Sequence, residues 1–455
     1  MTETSSPRIV IVGAGPAGIR AAATLVEAGL QPVVIDEGHR AGGQIYRLPP
    51  DGFIRTPEQL YGSEAAKARA LHELFDRLAK EGRLIHCAAS SVIAMHEGRL
   101  HVLGESGVQV TSYDRLILAT GASDRVAPVP GWQNAGVYSL GAAQIALKAQ
   151  GVALGRRIVL IGSGPLLTLV GAQLVKAGAD VAAVLDTSSW RQQMRGLWGL
   201  AARPVVALRG LALRARLGRR YHAGVTLERI EADEQGVAAL CWRDAGGRQC
   251  HTSCDMIGMG WHLRAETHLA DLAGCAFGYD EQWQQWLPKT DEMGRAGNGV
   301  YLAGDGLRLL GADGAEIAGR LAAAACLADL GYQAPVASAD LRKRARVERF
   351  ARGLARAFPW PAAMVRALPD EAIVCRCESV SVAAVREGAD LGSGEANRVK
   401  SLSRVGMGRC QGRYCQLGAV ELIAAQAGCA PDAVGRFRGQ APVRPAPIGA
   451  FLREG

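Results

Sequence analysis

Short apolar runs alternate along the chain with stretches whose apolar positions recur every three or four residues, and that alternation predicts an α/β protein. Residues 8–12 read as a buried strand, 19–28 as a helix and 31–35 as a second strand, making one β-α-β unit. A helix is predicted over 65–81, an antiparallel meander over 84–110 and a further strand over 114–120. Pro128, Pro130 and Gly131 mark a crossing between domains. The unit then repeats, with a strand at 157–161, a helix to 177 and a strand at 180–185, which is an internal duplication. Residues 188–221 are rich in arginine and leucine and read as helical; 225–259 returns to strand-like alternation. A strand at 299–303 and a helix at 312–329 follow. Residues 341–365 form a basic amphipathic stretch, broken by Pro359, Pro361 and Pro369 before a cysteine-containing tail, and this is the expected linker.

The expected architecture is therefore two nested Rossmann-like dinucleotide-binding domains of the glutathione-reductase kind. A small helical domain at the C-terminus carries the cysteines. Residues 1–135 with 260–335 form the first nucleotide domain, 136–259 the second, 336–369 a basic helical linker and 370–455 the cysteine domain. At about 150 residues per domain, 455 residues agree with three.

Composition adds little to this, but excludes some classes. No run approaches the roughly 18 apolar residues of a spanning helix, and the polar start followed by a glycine turn is not a signal peptide. Eleven cysteines, four of them in a ligand-like pattern, do not suggest a disulfide framework, so a cytoplasmic protein is expected, with membrane contact no more than peripheral. The net charge is +9, and the arginines behind it are mostly dispersed, with two denser stretches, 191–220 and 342–356. Leucines and alanines interleave their arginines at helical spacing and few aromatics stand by to stack bases. Docking to another molecule is expected there rather than nucleic acid, beside the plainer reading of solvated helix faces.

The chemistry begins at Gly13-Ala-Gly-Pro-Ala-Gly18. Gly13 permits the tight turn, Gly15 lets the backbone approach a pyrophosphate, and Gly18 lets the following helix pack on its strand, with Pro16 and Ala17 between these glycines. Asp36, with Glu37 beside it, closes the second strand where a carboxylate can accept from a ribose. FAD, NAD and ATP all present the ADP group this pattern reads. Gly43 and Gln44 in the following glycine-rich loop, Thr120 and Gly121 at a strand end, and Gly304 and Asp305 late in the chain favour FAD, with Asp305 placed for a ribityl chain. The second fingerprint has Gly162 and Gly164 but Leu167 in the third glycine position, and ends at Asp186, which suits NAD over NADP if that site binds at all. There is no redox Cys-x-x-Cys near the flavin segments, Cys250 and Cys254 read as incidental, and the histidines are scattered singly. No catalytic residue is singled out.

Cys375 and Cys377, then Cys410 and Cys415, form two close pairs, the requirement of a [2Fe-2S] cluster. Zinc also takes four cysteines, though usually in pairs spaced by two to four residues. Gly406, Gly408 and Gly412 free backbone amides near the sulfurs, and Arg376, Lys400, Arg404, Arg409 and Arg413 can offset cluster charge.

The Cys-x-Cys and Cys-x₄-Cys arrangement resembles the bacterioferritin-associated ferredoxin type of [2Fe-2S] domain. The segment 399–415, with Pro130-Gly-Trp132, Gly141-Ala-Ala-Gln144 and Tyr301-Leu-Ala-Gly-Asp305 through Ala315 and Glu316, resembles one family in particular. That family comprises the flavoprotein α subunits of opine oxidases, hydroxyproline dehydrogenases and hydrogen cyanide synthase, related to heterotetrameric sarcosine oxidase. The resemblance implies an amino-acid-oxidase-like β subunit that dehydrogenates an amine with its own FAD, in some assemblies with a small ferredoxin-like γ subunit. It implies an α subunit that relays electrons through its cluster, in some members with FMN at the subunit interface. Two rivals remain at this point: a self-sufficient NAD(P)H-dependent reductase delivering electrons to the cluster, and a non-catalytic scaffold with structural zinc.

Overall fold

The computed structural model describes residues 6–50, 52, 53, 55–334 and 337–451. Its first sheet has six strands in the order Arg295–Gly297, Val300–Leu302, Arg115–Leu118, Ile9–Val12, Val33–Ile35 and Ile85–Cys87. All neighbours are parallel except the first pair. The run Ile-Val-Ile-Val at Ile9–Val12 is buried at every position, as a strand covered on both faces requires. Helices Pro16–Glu27 and Gly311–Asp329 cover one face and cross so closely that a Cβ on Gly319 would lie 2.0 Å from the Ala17 carbonyl oxygen. On the other face lies an antiparallel meander, Ser91–His96, Arg99–Gly104 and Gly107–Ser112, whose Val92, Leu100 and Val102 pack against Val10, Val12 and Leu116.

The meander is shorter than the alternation over 84–110 suggests. Ile85–Cys87 belongs to the parallel sheet, because a three-residue edge strand carries no periodicity that separates it from the alternating strands after it.

The second sheet is parallel throughout, in the order Tyr221–Ala223, Asp180–Asp186, Arg157–Ser163, Met256–Trp261 and Val137–Ser139. Helix Pro165–Lys176 covers one face. A three-stranded antiparallel sheet, Thr226–Asp233, Gly236–Arg243 and Gln249–Ser253, covers the other. The chain crosses between the two sheets twice. The crossings pair as antiparallel strands Ala122–Asp124 and Leu263–Ala265, just ahead of the proline segment that signals the boundary in the sequence.

The stretch expected as a linker is a packed helix, Ser338–Ala357, with Val347, Phe350, Ala351, Gly353 and Ala355 buried. The tail that follows, with a two-stranded ribbon and helices Val382–Leu391, Ala396–Ser403 and Gln416–Gln426, is not set apart. One hydrophobic core runs from Val159, Ile161 and Trp261 of the second sheet through Trp132 to Val374, Cys375, Val399 and Cys415. Trp132 Nε1 donates to the Ile373 carbonyl at 2.6 Å, and Arg376 donates to Val137 O while lying over the Trp132 ring.

Candidate functional site

The carboxyl ends of four strands in the first sheet bring together the segments 13–18, Asp36, Thr120–Gly121 and Gly304–Asp305. Ligands of open α/β sheets bind at this edge. Gly13 has φ +107°, and a Cβ there would lie 2.3 Å from Ala119 O; one on Gly18 would lie 1.8 Å from Gly13 O. Both are required by the fold itself. Gly15 differs, because its φ is −76° and the nearest atom to an added Cβ is Gly43 Cα at 3.8 Å. Its lack of a side chain is not used by the protein's own packing, which leaves the space over the helix N-terminus for a phosphate. Pro16 and Ala17 open that helix and are buried.

Asp36 accepts from the backbone amides of Ala14 at 2.5 Å and Gly38 at 2.7 Å. Burial raises its carboxyl, against the pull of those two amides. Glu37 is exposed and held by Arg444 of the C-terminal segment at 2.6 Å. Gly43 has φ +63° and faces Gly15, while Gln44 is exposed beside it. Asp305 Oδ1 accepts from the amides of Leu310 and Gly311, its other oxygen takes no part in these bonds, and burial raises its carboxyl.

The second fingerprint is closed. Gly162 keeps its turn at φ +140°, with Gly260 O 1.8 Å from where a Cβ would be, but Leu167 is fully buried in the core with Leu160 and Val170. Asp186, placed by its sequence position for a ribose, has no exposure. Its Oδ1 accepts from Ser188 N at 2.8 Å and its Oδ2 from the Tyr221 hydroxyl at 2.6 Å, and burial pushes its pKa up to about 6. Over Gly164 stands the His262 ring, 3.2 Å from the position of a Cβ there, with its pKa pushed down to about 4 by burial and the neighbouring Arg125.

The four cysteine sulfurs converge in two pairs, Cys375 with Cys415 and Cys377 with Cys410, each pair joined by a thiol hydrogen bond. The bond from Cys415 and the amides of Gly406, Glu378 and Cys377, outweighing burial, bring Cys375 down to about 6. Cys415 goes the opposite way, raised by its bond to Cys375 and by burial. Among the described residues no three of these sulfurs lie within 4.8 Å of one another. One tetrahedral zinc would need all four within about 4 Å, whereas two pairs suit two irons, each with two thiolates.

The charge around the sulfurs fits an anionic group. Arg264 and Arg413 are 5% and 7% exposed, with one buried carboxylate, Glu266, between them. Arg413 lies inside the Cys410–Cys415 loop. Its guanidinium grips Glu266 at 2.6 and 3.2 Å and donates to the carbonyls of Cys410 and Val443. Arg264 donates to Arg413 O at 2.7 Å. Burial alone would raise Glu266, but His268 and Arg413 hold it well below the usual carboxylate range. Lys400 is buried and donates to Arg438 O, while Arg404 pairs with Glu378 at the surface. The network reaches the flavin edge directly, since Thr120 Oγ1 donates to Glu266 O at 2.7 Å and Glu266 N donates to Gly121 O at 3.0 Å. A cavity lined by Arg264, His268, Trp286, Trp360, Gln416 and Arg436 beside this network has a volume of about 30 Å³, room for a water and not for an amine substrate.

Of the residues in this bridge, the sequence draws attention to Thr120, Gly121 and Arg413. Arg264, Glu266 and His268 give no spacing signal. Their role comes from a partner about 147 positions away.

This arrangement defines a flavin-dependent oxidoreductase subunit, and the chain belongs to the pyridine nucleotide-disulphide oxidoreductase family, which matches residues 7–325. The sarcosine oxidase A3 domain family matches residues 370–452. More particularly, the chain falls with the subunits of opine oxidase and hydrogen cyanide synthase. It is 35% identical over 461 residues to an opine oxidase subunit of Rhizobium meliloti, covering 96% of this chain and 85% of the relative. It is 29% identical to hydrogen cyanide synthase subunit HcnB of Pseudomonas protegens, over 97% of each. Among solved structures, L-proline dehydrogenase from P. horikoshii superposes with a TM-score of 0.72 at 19% identity, covering 99% of this chain and 80% of that one, a likeness of fold. FAD is the cofactor this family supports. Among the described residues no helix is long and apolar enough to cross a membrane.

Proposed function

We propose that this chain is the electron-relaying α subunit of a multi-subunit, flavin-dependent amine, opine or hydroxyproline dehydrogenase, acting on CH–NH or CH–NH₂ donors. Its partner is an amino-acid-oxidase-like FAD-containing β subunit, and the complex passes electrons to a separate acceptor. The observation that carries this reading is the direct hydrogen-bonded link from the first nucleotide edge to a loop of paired cysteines, beside a second fingerprint that is sealed.

FAD would lie along Gly13, Gly15, Gly18, Asp36, Gly43, Thr120, Gly121 and Asp305, and a [2Fe-2S] cluster would be held by Cys375, Cys377, Cys410 and Cys415. Together these groups supply exchange between two-electron and one-electron carriers. The protein's own part is positioning. Asp36 fixes the glycine turn through Ala14, and Glu266 with Arg413 fixes the cysteine loop relative to Thr120. Arg264, Arg413 and Lys400 supply buried positive charge near the sulfurs, where it acts more strongly on an anionic group than it would in water.

A self-sufficient nicotinamide-dependent reductase is disfavoured because Asp186 and His262 occupy and close the place a dinucleotide would need. The test is an assay of the cofactor-replete chain with octopine, nopaline, hydroxyproline, sarcosine and glycine against an artificial acceptor. Turnover is expected only when the β subunit is added; turnover by the chain alone, or reduction of its flavin by NADH, overturns the proposal. Zinc without iron in anaerobically purified protein overturns the cluster assignment.

A further inference from the structure

We infer that the two arginine-rich stretches form one preassembled protein-docking surface, and that its occupant is a partner subunit presenting apolar side chains rimmed by carboxylates. The inference rests on the reading of this chain as one subunit of a complex. In the sequence 121 residues, 221–341, separate the two stretches; in the structure they touch. Helix Leu197–Leu200 lies directly on helix Ser338–Ala357 through glycines. A Cβ on Gly196 would lie 2.3 Å from Gly353 O, and one on Gly199 would lie 2.5 Å from Gly353 Cα. Arg346 ties the contact by donating to Ala202 O at 2.8 Å.

This close seat holds large apolar side chains outward. Trp198 is 90% exposed, and Trp190 and Met194 are more than half exposed. On the following helix, Pro204–Leu217, Val205, Leu208 and Leu211 are also more than half exposed. Exposed apolar residues scattered singly need no explanation, but six within 22 residues on neighbouring helices mark a contact surface.

Charge narrows the occupant. The segment 187–227 holds eight arginines and no aspartate, glutamate or lysine, against a net charge of +9 for the whole chain. Arg191, Arg195 and Arg216, and across the helix contact Arg349 and Arg352, are exposed and have no acidic partner among the described residues. A second copy of the chain would bring like charges together, so self-association is opposed. A lipid surface needs apolar and charged positions segregated onto opposite sides of a helix. Along Pro204–Leu217 they share a side, with Arg209 one turn beyond Val205. An interface with a protein accommodates that mixture, placing aromatic and aliphatic anchors within a polar rim.

The test is co-expression of the full chain with the amino-acid-oxidase-like FAD chain of its own source, comparing wild type with Trp198→Glu and with Leu208→Glu/Leu211→Glu. Arg99→Glu, an exposed charge change on the distant meander, is the control. The surface variants should weaken assembly by about 30-fold or more, the size of a lost hot spot, with flavin content and melting temperature unchanged. Raised salt should weaken the wild-type complex further. Assembly of the variants with wild-type affinity overturns the surface while leaving the subunit reading intact. No complex with wild type overturns both. Binding to vesicles of equimolar phosphatidylcholine and phosphatidylglycerol, lost in the same variants, overturns the assignment of a protein occupant.

Discussion

Replacing Arg413 with methionine tests the bridge between the cysteine loop and the nucleotide edge. The guanidinium donates to four acceptors: both Glu266 oxygens, Cys410 O and Val443 O. Arg413 and Glu266 are each 7% exposed, so water does not replace what is lost. Methionine fills a similar volume but leaves a buried carboxylate with only His268 and the neighbouring charge of Arg264 to hold it. Removing one partner of a buried pair costs about 3–5 kcal/mol. Glu266→Gln should cost less, since its amide oxygen still accepts, and the double variant should recover part of the loss through a coupling of at least about 1 kcal/mol. The pH dependence has a definite sign. Glu266 is depressed in the folded protein, so its contribution is fully present above its unfolded value of about 4.5 and is lost as pH falls through the lower folded value. Between pH 5 and 8 the difference between wild type and Glu266→Gln should therefore stay constant, and it should shrink only below that. The assay is a urea titration of anaerobic holoprotein, following iron–sulfur absorbance for the loop and tryptophan fluorescence for the whole. A loss under about 1 kcal/mol for Arg413→Met would refute the view that this pair holds the loop.

Three further outcomes are expected. Cys410→Ser should bleach iron–sulfur absorbance and keep the flavin, whose proposed place is on the first sheet, but it should lower the melting temperature because the tail shares its core with the second sheet. Gly15→Val should fold and purify without FAD, whereas Gly18→Ala, with its Cβ 1.8 Å from Gly13 O, should fail to fold; FAD bound normally by Gly15→Val would refute the placement. Asp186→Asn removes a carboxyl whose pKa is raised from 3.8 to about 6 by burial. The wild-type group favours folding below about pH 4 and loses that contribution as pH rises toward 6. The variant's relative stability should thus climb by on the order of 3 kcal/mol across that window, and a pH-independent difference would contradict it.

What was legible in the sequence, and what was not, divides by range. The first fingerprint with its acid is local, so Gly13, Gly18 and Asp36 announce their turn and strand end within 25 residues. The paired cysteines are legible by spacing, and the Trp132 motif by resemblance. The closing of the second site is not, because Asp186 looks like a ribose acceptor until Tyr221, 35 residues on, takes its oxygen. Leu167 was the one local sign. The basic stretch after residue 336 reads as a linker because its arginines dominate the pattern, whereas the residues that bury it, Val347, Phe350 and Ala355, are spaced for a helix packed along one face.

The sealed second domain still has a reason to be there. If that domain binds no nucleotide its sheet would be free to decay, yet its three central strands are largely apolar and, past the exposed Arg157 and Asp180 at their starts, nearly all buried. Its outer antiparallel layer and the loop at Trp132 form the floor on which the cysteine tail is built, with Trp242, Leu240 and Trp261 in one continuous core with Val374, Val385 and Leu422. Arg376, between the first two cysteines, reaches back to Val137 O on the edge strand of that sheet. The cysteine tail is therefore positioned from two sides, by the second sheet through this core and by the first through Glu266 and Arg413. Losing the second sheet would leave only the ionic side, which is too directional to set a loop by itself. On the proposed reading the Rossmann sheet is kept for its shape, as the floor of the cysteine tail, and Leu167 at the third glycine position fills the turn with core.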